Sequence, residues 1–300
     1  MPSRPTPLPE PLRARPFTSA DVRAQGLSWR VLNGHEVRRL HRGVYVHIAL
    51  ELTLGVEVDA ALLALPEGAV ASHDTAALLL DLPLPRGAGR ELHFWVPRAS
   101  TGRSVPGVVL HTSPTRPPTT VVGGRTVTAP GKTFIDMATR LGLDDLVALG
   151  DGIVRRTGVL PMELQRLARE PRRRWIRRAR QAARLVRAGV DSAPKTHLRL
   201  AVLDDFLPEP ETGADVFDDA GGWIARPDLS WSRWKVAVEY DGEHHRADVR
   251  QYNLDIGRRE ALEDAGWIVV VVTAERLYRR RPQTVTRIRS ALQSRGAPIF

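Results

Sequence analysis

The chain has 300 residues, with 44 Lys and Arg against 34 Asp and Glu, giving a formal net charge of +10 at pH 7. It contains no cysteine, which excludes disulfides, zinc–thiolate sites and cysteine nucleophiles, and no apolar run approaches the ~20 residues that span a bilayer. The basic surplus, carried mostly by arginine, points to a polyanion: nucleic acid, whose phosphates the guanidinium fork meets in pairs, or an anionic membrane surface. The length allows two or three domains, and an α/β (α+β) multidomain protein of the cytoplasm is expected.

Residues 1–15 are rich in Pro and Arg and read as a disordered tail. Residues 16–48 read as a small winged helix-turn-helix. Thr18 or Ser19 caps a short helix that Gly26 stops, Ser28 caps a second helix over Trp29–Asn33, and Val37 to Val46 makes two strands turning at Arg42-Gly43. In that reading the Trp29–Asn33 helix, with Arg30, enters a major groove and Arg38, Arg39 and Arg42 follow the phosphates. A small α+β cap with solvated arginines is the alternative.

Residues 49–160 mix helix and strand patterns in an α/β middle domain. Helices are expected near Glu57–Leu65, Ser72–Leu80, Thr133–Leu141 and Asp144–Arg155, and strands near Leu92–Val96, Gly107–His111 and Arg125–Thr128. The triplet Ser72-His73-Asp74 invites a metal or triad reading, but a helix start capped by Ser72 explains it more cheaply. The run Ala129-Pro130-Gly131-Lys132-Thr133 resembles the tail of a phosphate-binding loop and lacks its first glycine, because that position is Thr126.

Residues 161–190 read as an arginine-rich helical linker. At 100° per residue, Arg173, Arg177, Arg180, Arg184 and Arg187 fall in one stripe beside an apolar stripe of Ile176, Ala179, Ala183 and Val186. The charged stripe suits phosphate or plain solvent. A last domain, 191–300, starts with a helix from Lys195 and continues through strands near 214–217, 223–228 and 234–241, a helix, an apolar strand and a terminal helix.

Within it, Pro227 to His245 holds acids that packing does not explain. Glu239 and Asp241 are two residues apart in a strand and share a face, with Asp228 ending another extended run. Aligned carboxylates repel and cost desolvation, which marks either a metal or proton-transfer site or a half-exposed edge strand. The element order, with Pro227-Asp228, Val238 to Gly242 followed by His245, Asp255, Arg258 and Gly266-Trp267, resembles the PD-(D/E)xK nucleases with a restriction-endonuclease-like core, in the branch of very-short-patch-repair endonucleases and the domain of unknown function numbered 559. The resemblance covers about residues 191–294. It implies a DNA endonuclease in which Asp228 and Glu239 hold Mg²⁺ (or Mn²⁺), Asp241 and His245 complete the catalytic set, and Lys195 and Arg258 meet DNA. The usual lysine two residues after the second acid is here Asp241, and Lys195 stands where relatives carry a glutamate.

The N-terminal half, through Phe17, Gly26, Arg42 to Tyr45, Ser72-His73 with Ala76-Ala77, and Val127-Thr128 with Thr133 and Asp136, resembles abortive-infection-type antitoxins. That resemblance implies DNA binding or neutralisation of a toxin partner. Two functions therefore stand open: a metal-dependent endonuclease, and a DNA-binding antitoxin or repressor with a degenerate, non-catalytic nuclease-like domain.

Overall fold

The structure, a computed structural model, describes residues 8–98, 104–169, 175–218, 220–242 and 249–299, with 249–255 described by backbone alone. The fold is α/β and multidomain, dividing after Met137 into two compact units. Among the described residues no helix is long and apolar enough to cross a membrane.

The first unit opens with α1 (Glu10–Arg13), inside the stretch expected to be a tail. Leu8 and Leu12 are buried with Phe17 and Val22, so apolar burial holds this segment in place despite its proline content. Next come β1 (Phe17–Thr18), α2 (Ser19–Ala24), a five-residue 3-10 turn (Trp29–Asn33), β2 (Val37–His41) and β3 (Val44–His47), in a sheet of order β1-β3-β2. Gly43, at φ +79°, makes the hairpin turn. The pairing slips by one residue at Leu40, and Arg38 and Arg39 before it are both exposed. The element between Ser28 and Gly34 is a 3-10 turn with no buried residue, where a groove-reading helix was expected.

Thr18 caps α2 in a reciprocal box. Its hydroxyl accepts from the Asp21 amide, and Asp21 accepts from the Thr18 amide at 2.7 Å. Burial opposes the Asp21 charge, but the Thr18 bonds and Arg15 outweigh it and hold the carboxyl below its ordinary 3.8. A lowered carboxyl stabilises the fold above its unfolded value and loses that contribution as pH falls through the native one. Thr18→Ala is expected to cost about 1 kcal/mol in urea unfolding at pH 7, with the deficit shrinking below pH 3.8; an unchanged midpoint at pH 7 would count against the cap.

The unit continues with α3 (Leu54–Ala64), β4 (Val70–Ala71), α4 (His73–Leu79), β5 (Leu92–Trp95), β6 (Val108–His111), β7 (Thr119–Val122), β8 (Arg125–Thr128) and α5 (Pro130–Met137). The sheet order is β6-β5-β4-β8-β7, with β4–β8 and β5–β6 parallel. Proline starts α5, where its missing N–H costs nothing, and Lys132 pairs with Asp136 one turn on.

The second unit begins with α6 (Leu143–Thr157), α7 (Pro161–Ala168), α8 (Ile176–Leu185) and α9 (Ala193–Asp204). Boundaries were expected at 160 and 190; within this unit α6 packs on α9 with a buried ion pair, Asp151 with Arg199 at 3.0 Å. Beyond α9 lie β9 (Glu211–Thr212), the hairpin β10 (Val216–Phe217) and β11 (Trp223–Ala225), β12 (Leu229–Trp231), β13 (Val236–Asp241), α10 (Val249–Asp264), β14 (Ile268–Thr273), α11 (Ala274–Arg279) and α12 (Arg281–Ser294). The sheet order is β14-β13-β12-β9, with β13 parallel to β14 across α10 and antiparallel to β12. Both faces of β13 are covered. Val236 and Val238 pack with Leu198 and Val202 of α9, and Ala237 packs with Leu262 of α10.

Candidate functional site

The period of two carries Glu239 and Asp241 onto the Ala237 face of β13, toward α10. There Arg259 of α10 lies 3.8 Å from Glu239. Asp228 sits between β11 and β12 rather than in a strand. Its Oδ2 accepts from the Tyr240 amide at 2.8 Å, and its Oδ1 takes the Lys195 ammonium of α9 at 2.6 Å. The two carboxylates are thus met by cations from different helices, Asp228 by Lys195 of α9 and Glu239 by Arg259 of α10.

Burial opposes the Lys195 charge, but Asp228, and Asp191 at 3.3 Å, outweigh it and hold the ammonium above its ordinary range. At the carboxylates expected to hold Mg²⁺ or Mn²⁺, Lys195 occupies the place of a cation beside Asp228. Both Asp228 oxygens are engaged, one by the Tyr240 amide and the other by the Lys195 ammonium, and Glu239 has Arg259 at 3.8 Å. Among the described residues, the donor atoms of Asp228, Glu239 and Asp241 form no cluster of metal-ligand spacing. His245 lies outside the described residues, as does the side chain of Asp255.

The basic residues divide. Arg30, Arg38, Arg39 and Arg42 are exposed on the 3-10 turn and hairpin, and Arg258 is exposed on α10. Of the stripe on α8, Arg173 lies outside the described residues and Arg177 and Arg184 are exposed. Arg180 instead donates to the Ala168 and Arg169 carbonyls, and Arg187 binds Glu209 and two carbonyls, so these two tie the ends of helices. The apolar stripe packs as expected, with Ile176, Ala179, Ala183 and Val186 buried. A cluster that sequence reasoning passed over is Arg276, Arg280 and Arg287, which line a cavity of about 390 Å³ beside the edge strand β14.

Sequence reasoning also missed a histidine cluster. Ser72 stands at the start of α4, yet its hydroxyl lies 3.1 Å from His73 Nδ1 and makes no capping bond, while Asp74 accepts from the Gly89 amide. His73 is thereby grouped with His93 of β5 and His111 of β6, with one nitrogen from each inside a 4.8 Å circle. His93 Nδ1 and His111 Nε2 are 2.9 Å apart, and the His73 and His111 rings stack at 3.6 Å. The available signal was a histidine at an inward position of each of two apolar strands.

No family model matches the chain. It is 28% identical over 168 residues to uncharacterized proteins of two Mycobacterium tuberculosis strains, MT2308 and Rv2248, a match covering 56% of this chain. The chain spans 62% of the length of those relatives. Among solved structures it is similar to the crystal structure of the RV2827C protein from Mycobacterium tuberculosis, at 15% identity and a TM-score of 0.41, over 68% of this chain and 83% of that one.

Proposed function

We propose that this chain is a DNA-binding regulator, of repressor or antitoxin type, whose nuclease-like C-terminal domain binds DNA without hydrolysing it. The observation that carries the reading is the Lys195–Asp228 ion pair, which sets an ammonium where a catalytic metal would need an open carboxylate. Exposed arginines on the hairpin, α8 and the β14 edge supply charge for phosphates, and guanidinium groups meet phosphate oxygens in pairs.

The test is to incubate purified protein with supercoiled plasmid in Mg²⁺ and in Mn²⁺, beside Glu239→Ala, and to run a gel shift on the same samples. Retardation with no nicking is expected from both proteins. Nicking by the wild type that Glu239→Ala abolishes would overturn the proposal and restore the hydrolytic reading. Failure to retard DNA at low salt would overturn it outright.

A further inference from the structure

We infer that His73, His93 and His111 form a binding site for a borderline divalent transition metal, zinc foremost, in the N-terminal unit. Three secondary-structure elements converge to make it. The Ser72 amide donates to the His93 carbonyl at 2.9 Å, which brings the start of α4 across the middle of β5. The parallel register sets Trp95 opposite His111 and His93 opposite Val109, so His93 and His111 project from one face of the sheet as diagonal neighbours. His93 is fully buried, His73 is 8% exposed and His111 is half-buried, so two ligands are shielded and one borders solvent.

Donor chemistry selects the ion. The set is imidazole alone, in a chain without cysteine. Imidazole suits zinc, copper and nickel, whereas magnesium and calcium require oxygen. In a tetrahedral zinc site with bonds near 2.0–2.1 Å the ligand nitrogens stand about 3.3 Å apart. The 2.9 Å pair and the 4.8 Å limit on the full set bracket that spacing, so side-chain rotation closes the site with the backbone where it is.

The surroundings prepare His73 for this role. Ser72 Oγ lies 3.1 Å from its Nδ1, the kind of hydrogen-bonded partner that orients the ring of a metal-binding histidine. His73 also holds φ +49°, a left-handed conformation costly to a non-glycine residue that persists where the surroundings impose it. Three nitrogens leave a fourth position for water on the His111 side.

The experiment uses the untagged full chain, stripped with chelator and titrated with Zn²⁺ by calorimetry and with Co²⁺ by visible absorption. One equivalent per chain is expected, with the intense d–d bands of four-coordinate cobalt. His111→Gln, at the least buried position, is expected to weaken binding about 100-fold or more, and Ser72→Ala about 10-fold. His35→Gln, on an exposed loop residue, should leave affinity unchanged. Zn²⁺ should also raise the melting temperature of the wild type, a readout independent of whether any variant folds. No saturable binding by the wild type, no rise in its melting temperature, or wild-type affinity in a folded His111→Gln would each overturn the site.

Discussion

Asp151→Ala is expected to destabilise the C-terminal unit by about 3–5 kcal/mol, because it strands a buried guanidinium. Arg199 is fully enclosed and Asp151 is 2% exposed. The carboxylate accepts from Arg199 at 3.0 Å, from the Thr196 hydroxyl at 2.8 Å and from the Arg187 amide at 2.7 Å. One residue thus joins α6, the end of α8 and α9. Arg199 retains two buried nitrogens without hydrogen-bond partners, so removing the carboxylate beside it leaves a charge with little compensation.

Burial lifts Asp151 above its ordinary 3.8, and Arg199, the Arg187 amide and Thr196 pull it back only in part. A raised carboxyl binds its proton more tightly in the native chain than in the unfolded one. Its contribution is therefore fully present below the unfolded value and is lost as pH rises through the native one. The pair is consequently a poor source of net stability at neutral pH, and the double replacement Asp151→Leu with Arg199→Met should be near neutral or stabilising while either single change is costly. Urea unfolding with an unchanged m-value measures this, and a loss under about 1 kcal/mol for Asp151→Ala would sink the argument.

The second large effect concerns DNA. Replacing Arg38, Arg39 and Arg42 together by alanine should reduce the slope of log K against log salt by about 2.7, at roughly 0.9 for each phosphate no longer neutralised. Binding should weaken alike on unrelated duplexes, because phosphate contacts carry no sequence information. The five-residue 3-10 turn beside the hairpin is about 10 Å long and presents no reading helix, so the wild type should discriminate little between sequences. An unchanged salt slope in the triple variant would remove the hairpin from the interface. Strong preference for one duplex would show that base edges are read elsewhere.

The hairpin was legible because turn chemistry is local: Arg42-Gly43 and the alternation around it need no distant partner. The same holds for Thr18 with Asp21. Val70–Ala71 and Thr119–Val122 escaped because two apolar residues, or a polar run after prolines, carry no period-two signal. The packing of α6 on α9 escaped for another reason: Asp151 meets Arg199, residues 48 apart whose pairing no window of sequence contains. At the acidic stretch, spacing placed Glu239 and Asp241 on one face. It could not say that Lys195 of α9 would take Asp228 or that Arg259 of α10 would stand beside Glu239. The histidines were invisible as a group because parallel pairing of β5 with β6, and not proximity in the chain, brings them together.

Strand β4 also decides how the first unit comes to exist. It has two residues, yet it joins β5 to β8, pairing Ala71 with Phe94 on one side and with Val127 on the other. Neither ladder is local, so two long loops must close before so short a strand gains anything in return. Non-local β pairing is slow, so the sheet is expected to assemble after the β2–β3 hairpin, whose pairings join neighbours in the chain.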